Sequence, residues 1–481
     1  METRGWRPSR RGIVIGTAVL GAGLVVGTIL DKLIGQPDAA FVLDAIGWDA
    51  TRFPVGVRRT DAGWSTDFNR NAYLPDDAFP LTFYVDIARP NNDGDGTTPA
   101  TAKRSIHTAI AAANRVGRPA RILIETEHGP YNRGDGFSNS GAVIPMQDIA
   151  IIPAHDGLPG EGRIVSGPFD RLGWSGATDP VYTNCCTTTR RDVARVFDVT
   201  QVDGFGNYRE IGEENSAEAV NDGGGWFVDA AGTLYVRRHD DAVVTNENTR
   251  VFLNAANFKL TAQSGKLYLR NVDFEGGSAG DQNPFAVSGC LDTIVIAENC
   301  SFKYGGSSAR LRDGALISGS SGLFAFIGCV SAANTKDGLN AAWSVDPERR
   351  LFMLTENCEC FDNGRFGSAS SNGLTGHGSS VHLDVNGNYH DDHGGEVRFI
   401  DTCRSAHFGT RAAFDQGDGG QTMTVGFNTS NAARMWLWDC TGEMLSPDDY
   451  SLYASSTNSP IRVRNYRDIT GKVGTKGISS F

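Results

Sequence analysis

The sequence lacks an excess of positive charge. Its 44 Lys and Arg are outnumbered by 56 Asp and Glu, for a net charge of −12. No basic stripe is available to neutralise phosphates, so nucleic acid is excluded as a partner. It also lacks a paired CxxC pattern. Of nine cysteines, Cys185 and Cys186 are adjacent, seven fall between 290 and 440, and Cys358 and Cys360 are only two apart. That excludes a zinc ribbon. A disulfide framework is not expected in 481 residues, a length that buries a core without staples; buried free thiols are the reading. Only one long stretch looks helical, and hairpin signals recurring roughly every 8–12 residues, as in a β-sandwich, are sparse. What is abundant is glycine, at 59 residues, and short β-branched runs broken by Gly, Asn, Asp and Ser. That composition is all-β with many turns.

The chain after Asn271 repeats itself loosely. "ENCSF" (298–302), "IGCVS" (327–331), "ENCEC" (356–360), "DTCRS" (401–405) and "WDCTG" (438–442) each place a cysteine at a strand. Cys300, Cys329 and Cys358 are 29 residues apart, Cys403 follows 45 later and Cys440 a further 37. Units of about 20 to 45 residues that cannot close a core alone mark a solenoid. Parallel strands stacked about 4.8 Å apart put each inward side chain on its equivalent in the next coil. A ladder of cysteines follows without disulfides, and the expected fold is a parallel β-helix.

Residues 81–131 read as strand, Gly/Asp loop, helix and strand. Ile106, Ile110 and Ala113 lie at helical spacing within 102–115, with Thr101 as the expected N-cap. Such a helix would plug the open end of the solenoid. The phrase "YVD…DG…PATA…SI..AI..A", with "GGWFVDAAGTLYVRR" (224–238) and "SSNGLTGHGSSVHLDVNGNYHDDHGG" (370–395), resembles the pectate-lyase-like family of right-handed parallel β-helices over about residues 82–470. The resemblance implies the fold. It leaves the reaction open, because that family includes lyases, hydrolases, epimerases and glycan-binding tailspikes.

The richest polar cluster is "GHGSSVHLDVNGNYHDDHGG". With Val381, Leu383 and Val385 inward, His382 and Asp384 would point out along one strand, and His390, Asp391 and Asp392 would follow in the turn. Outward carboxylates on neighbouring coils would lie about 5 Å apart and those two coils apart about 10 Å, which approaches the separations used in glycoside hydrolysis. Asp337 in "KDGLN" shares a D/N-G-L form with "SNGL" (371–374) and is expected near it. The catalytic candidates are therefore Asp337, His382, Asp384, His390, Asp391 and Asp392. Trp343, Tyr389 and Arg398 are candidates for holding substrate. Against them stands the plain role of Asp, Asn and Gly in making turns. Trp436 and Trp438 share parity with Cys440 and read as core. No metal site is expected: His390 and His393 lack a clear third ligand, and "NNDGDG" (91–96) hints at calcium but reads as a turn. No cofactor is called for.

Gly12 to Leu30 is uncharged and follows Arg4, Arg7, Arg10 and Arg11. Three readings compete: a twin-arginine export signal, a membrane anchor, or an apolar helix whose two GxxxG motifs pack within an assembly. The expected layout is an apolar helix over 1–35, an aromatic connector over 36–80, a β-helix over 81–470 and a tail over 471–481. That layout resembles a phage tailspike. It implies a homotrimer in the virion tail, joined to other tail proteins through residues 1–80 and binding host surface glycan, with or without cleavage. The alternatives are an exported polysaccharide lyase or hydrolase, and a membrane-anchored surface adhesin.

Overall fold

The computed structural model describes residues 39–137, 144–155, 162–175, 182–279, 283–342, 348–366, 371–414 and 425–481. Three short strands recur down the chain. Leu267–Arg270, Val272–Glu275 and Phe285–Ser288 make one coil; Thr293–Glu298, Ser301–Lys303 and Ala315–Ser318 make the next. Each strand pairs in parallel with its counterpart one coil on. Among the described residues, stacking yields sheet I of twelve strands and two sheets of nine, sheet II beginning at Ile164–Ser166 and sheet III at Phe258–Thr261. With the right-handed crossover that twisted parallel strands require, the fold is a right-handed parallel β-helix.

The corner from sheet I to sheet II turns on one left-handed residue. Asn271, Asn299, Asn357, Asn386, Asp439 and Asn465 occupy it at φ of 52–55°, a left-handed conformation that Asn and Asp tolerate better than other non-glycine residues. The residue after each corner points into the lumen. Cys300, Cys329, Cys358 and Cys440 share this column, and Cys358 donates its thiol to the Phe326 carbonyl one coil back at 3.1 Å. Cys403 does not belong to the column. It precedes the sheet I strand Arg404–Phe408, contacts Ser380 Oγ at 3.1 Å, and leaves Thr410 to fill the cysteine position of that coil. All nine cysteines are free, and Cys186 alone among them is only half-buried.

The capping helix spans Ile106–Val116, with Ile106, Ala109, Ile110 and Ala113 buried against the first coils. It starts later than expected. Thr101 instead closes a 3-10 turn over Pro99–Thr101, and Ser105 holds the N-cap position. The loop at 91–96 is tied up locally: Asp95 accepts from Thr97 and Thr101, and Asn92 bonds Ser105 and Thr108.

Residues 39–80 lie along the outer face of sheet I. The helix Ala39–Ile46 and the hairpin Val57–Thr60/Gly63–Thr66 bring Trp48 and Phe53 onto Phe352, and Trp64 onto Phe408 and Trp438. Both faces of sheet I are therefore buried. Trp436 and Trp438 are core, but on this outer layer rather than in the lumen.

One coil is interrupted between Ile164–Ser166 and Phe258–Thr261 by an antiparallel unit that an undivided 81–470 body did not foresee. It contains the sheets Cys186–Thr189/Thr233–Arg237/Gly225–Val228 and Thr249–Leu253/Val193–Val202/Tyr208–Ile211. Phe197 and Phe252 dock it on Tyr304, and Arg250 pairs with Glu275. The expected tail is also structured: Lys472–Val473 joins sheet III and Ile478–Ser480 ends sheet I. Among the described residues no helix is long and apolar enough to cross a membrane. The expected apolar helix over 1–35, with Gly12–Leu30, lies outside the described residues.

Candidate functional site

The strand Val381–Val385 has the opposite phase from that expected. Val381, Leu383 and Val385 face outward under the connector, and His382 and Asp384 point into the lumen, both buried. The register explains it: Met353, His382, Ser405 and Met435 form one inward column, and Thr355, Asp384, His407 and Leu437 the next. Asp384 accepts from Thr355 Oγ1 at 2.6 Å, Tyr389 Oη at 2.8 Å and Thr410 Oγ1 at 2.6 Å, with His407 Nδ1 at 3.2 Å. Burial, then the neighbouring His407 and His377, push His382 down to about 3. Asp384 ties its coil to both neighbours. Tyr389, expected to meet substrate, is wholly buried in this network.

Asp392 also faces inward. It continues a ladder in which the Asn334 side chain donates to Asn363 and the Asn363 side chain to Asp392, each at 2.8 Å. Glu396 abuts its end. Burial raises Asp392 to about 7 and Glu396 well above an ordinary carboxyl, so the two hold a proton between them at neutral pH. Asp391, buried at φ 60°, accepts from His390 Nδ1 at 2.9 Å. His390 lies on the outer face of sheet II, bonded also to Glu359 at 3.2 Å and stacked on Phe361 at 5.2 Å. Burial opposes its charge, but the two carboxylates win and raise it to about 9. Trp343 lies outside the described residues.

Asp337 is placed differently, at the turn entering sheet III. The two D/N-G-L turns do meet: Asp337 Oδ1 accepts from the Asn372 backbone N–H at 2.8 Å and its side-chain amide at 3.1 Å. One coil earlier, Asp313 Oδ1 accepts the Asp337 N–H at 3.2 Å. Gly338 is required at this stack, because a Cβ there would lie 2.6 Å from the Gly373 carbonyl. Lys336 Nζ reaches Asp313 at 3.4 Å and Asp337 at 3.6 Å, and the Asn340 amide approaches the same two carboxyls at 3.4 and 2.9 Å. Burial raises both carboxyls, Asp313 to about 6, with Lys336 pulling the other way. Burial would lower Lys336, yet the carboxyls more than offset it.

Asp313 and Lys336 line a groove of about 300 Å³ on the outer face of sheet III, with Lys259, Ser288, Arg312 and Ser318 among others; Asp337 lies buried behind them. Arg398 stands on the same face, in register with Thr375 and Asn428. A carboxyl near 6 beside a second carboxyl and an ammonium can give up and retake a proton at neutral pH. Of the expected residues, the structure brings together Asp337 and, on the same sheet face, Arg398; it does not gather the other five catalytic candidates there. Asp313 and Lys336 were missed. The signal was present, since "RDGAL" (312–316) repeats the "KDGLN" turn 24 residues earlier.

The chain matches no protein-family model and no curated protein. Solved structures similar to it include a glycoside hydrolase, at 11% identity and TM-score 0.48 over 83% of this chain and 96% of that one. A complex of XylC with xylose follows at 10% and 0.44, over 83% and 70%. The receptor-binding domain of the Siphovirus 9NA tailspike follows at 13% and 0.29, over 78% and 74%. All are too distant to bear on what this chain does.

Proposed function

We propose that the chain is a glycan-cleaving enzyme, a glycoside hydrolase whose working carboxyls are Asp313 and Asp337. The observation that carries this reading is the pair itself: two carboxyls within 4 Å of one lysine nitrogen, of which Asp313, raised to about 6, lines a groove. Asp313 gives its proton to the glycosidic oxygen as the C–O bond breaks. Asp337 Oδ2 is held only by side-chain donors, so it can be released to the anomeric carbon, whereas Oδ1 is tied to the Asn372 backbone. Water then hydrolyses the glycosyl ester and returns a proton to Asp313. The resemblance of the opening phrase to pectate-lyase-like β-helices also supports a glycan substrate. Residues 1–35 would then deliver the enzyme, as an export signal or as a joint to a larger particle.

The test is release of reducing ends from a panel of plant and bacterial polysaccharides. Asp313→Asn and Asp337→Asn are expected to lower the rate by about 10³-fold or more while the melting temperature stays within a few degrees. Undiminished cleavage by both variants, or cleavage of nothing in the panel, would sink the reading. Products bearing a C4–C5 double bond would make the protein a lyase instead.

A further inference from the structure

A second pocket, of about 330 Å³, opens between the antiparallel unit and the β-helix, lined by Arg195, Glu210, Glu213, Glu214, Trp226 and Phe366 among others. Two of its carboxylates are held by neighbours. Glu210 is gripped by the Arg195 guanidinium at 2.8 and 2.6 Å, and Arg195, almost wholly buried, also donates to the Ala333 carbonyl at 2.8 Å. Glu213 accepts from Ser308 Oγ at 2.8 Å, so the β-helix fixes a residue of the inserted unit. Glu214 lies against Gly225, where a Cβ would come within 2.6 Å of its side chain.

Phe366 is the unusual member. It is 50% exposed and holds φ at +85°, a conformation that costs a bulky residue free energy and concentrates at binding sites. It is also anchored, because the preceding Arg365 pairs with Asp203, Asp362 and Glu210. The ring, 5.6 Å from the Arg195 guanidinium, is an apolar plate beside hydrogen-bond acceptors.

We infer that this pocket binds an uncharged sugar residue, apart from the groove at Asp313. Arg195 already neutralises Glu210, and Arg365 is shared among Glu210, Asp203 and Asp362. Glu213 and Glu214 remain, and they accept hydrogen bonds from sugar hydroxyls while repelling uronates, sulfates and phosphates. The apolar face of a pyranose stacks on Phe366, as amphipathic ligands do on aromatic plates.

The experiment is calorimetric titration of the full chain with xylotetraose, cellotetraose and mannotetraose, and with tetragalacturonate as the anionic control. At least one neutral tetrasaccharide is expected to bind at submillimolar concentration and tetragalacturonate at least tenfold more weakly. Phe366→Ala is expected to weaken binding by about tenfold, Phe366→Tyr to preserve it, and Glu214→Gln to narrow the gap to tetragalacturonate. Asp313→Asn leaves this binding unchanged, which separates the pocket from the proposed catalytic groove. Three outcomes would each overturn the inference: no neutral tetrasaccharide bound at millimolar concentration, equal affinity for tetragalacturonate, or Phe366→Ala binding as wild type does.

Discussion

The lumen of the β-helix is filled in two ways. In its earlier coils phenylalanines lie face to face, Phe258 on Phe285 at 5.5 Å and 9° and Phe274 on Phe302 at 5.7 Å and 7°. A few coils later the same space holds His382, Asp384, Ser405, His407 and Tyr389, with Asp384 bonded to Tyr389 in its own coil and to Thr355, His407 and Thr410 in the coils on either side. Stacking demands only that a residue satisfy its neighbours one coil away, by dispersion in one half and by donor–acceptor pairing in the other. The difference lies in what a single deletion leaves behind. An apolar rung leaves a void; a polar rung leaves orphaned donors.

Asp384→Ala is therefore expected to have the largest effect. It removes the acceptor of Thr355, Tyr389, His407 and Thr410, at roughly 1–3 kcal/mol for each buried donor left unpaired. Its loss should exceed the about 3–5 kcal/mol expected of Phe302→Ala. Denaturant midpoints measure both, and a smaller loss for Asp384→Ala would mean that the network contributes little beyond filling space.

Trp64→Ala asks the same question of the outer layer. The indole packs at 4.9 Å from Phe408 and 5.0 Å from Trp438 and donates to Asp439 at 2.9 Å. A loss of about 3 kcal/mol is expected, with faster proteolysis within 39–80 in a timed digest. An unchanged digestion pattern would show that the connector holds on without this ring.

The smallest effect belongs to the acid pair. Burial raises Asp392 and Glu396 in the folded protein, so the shared proton stabilises the fold below the ordinary carboxyl range. That stability is lost as pH rises through about 7. Glu396→Gln removes one member, so its melting temperature should gain on wild type between about pH 5 and about pH 8, by the equivalent of roughly 1 kcal/mol. Parallel melting curves across that range would mean that the pair is not strained.

Much of the fold was legible because stacking makes equivalent positions repeat. The Asn and Asp corners, the cysteine column and the capping helix all follow from local chemistry, namely left-handed turns, small buried side chains and an apolar helical stripe. The meeting of Asp337 with Asn372 was legible for the same reason. Cys403 looked like a rung because it too sits at a strand, yet it marks another corner. The antiparallel unit at 167–257 left no repeat to find.

What the sequence by itself determined is the alternation along Val381–Val385 and the turn chemistry that spaces the coils. Which side of that strand is inside was decided by tertiary structure alone. A period of two separates two faces but does not say which is buried more deeply when both are covered. The connector covers the outer face of sheet I with Trp48, Phe53 and Trp64, so valine and leucine face it and the polar residues turn inward, where the neighbouring coils supply Asp384 with Thr355, His407 and Thr410 and His382 bonds Ser380 of its own coil.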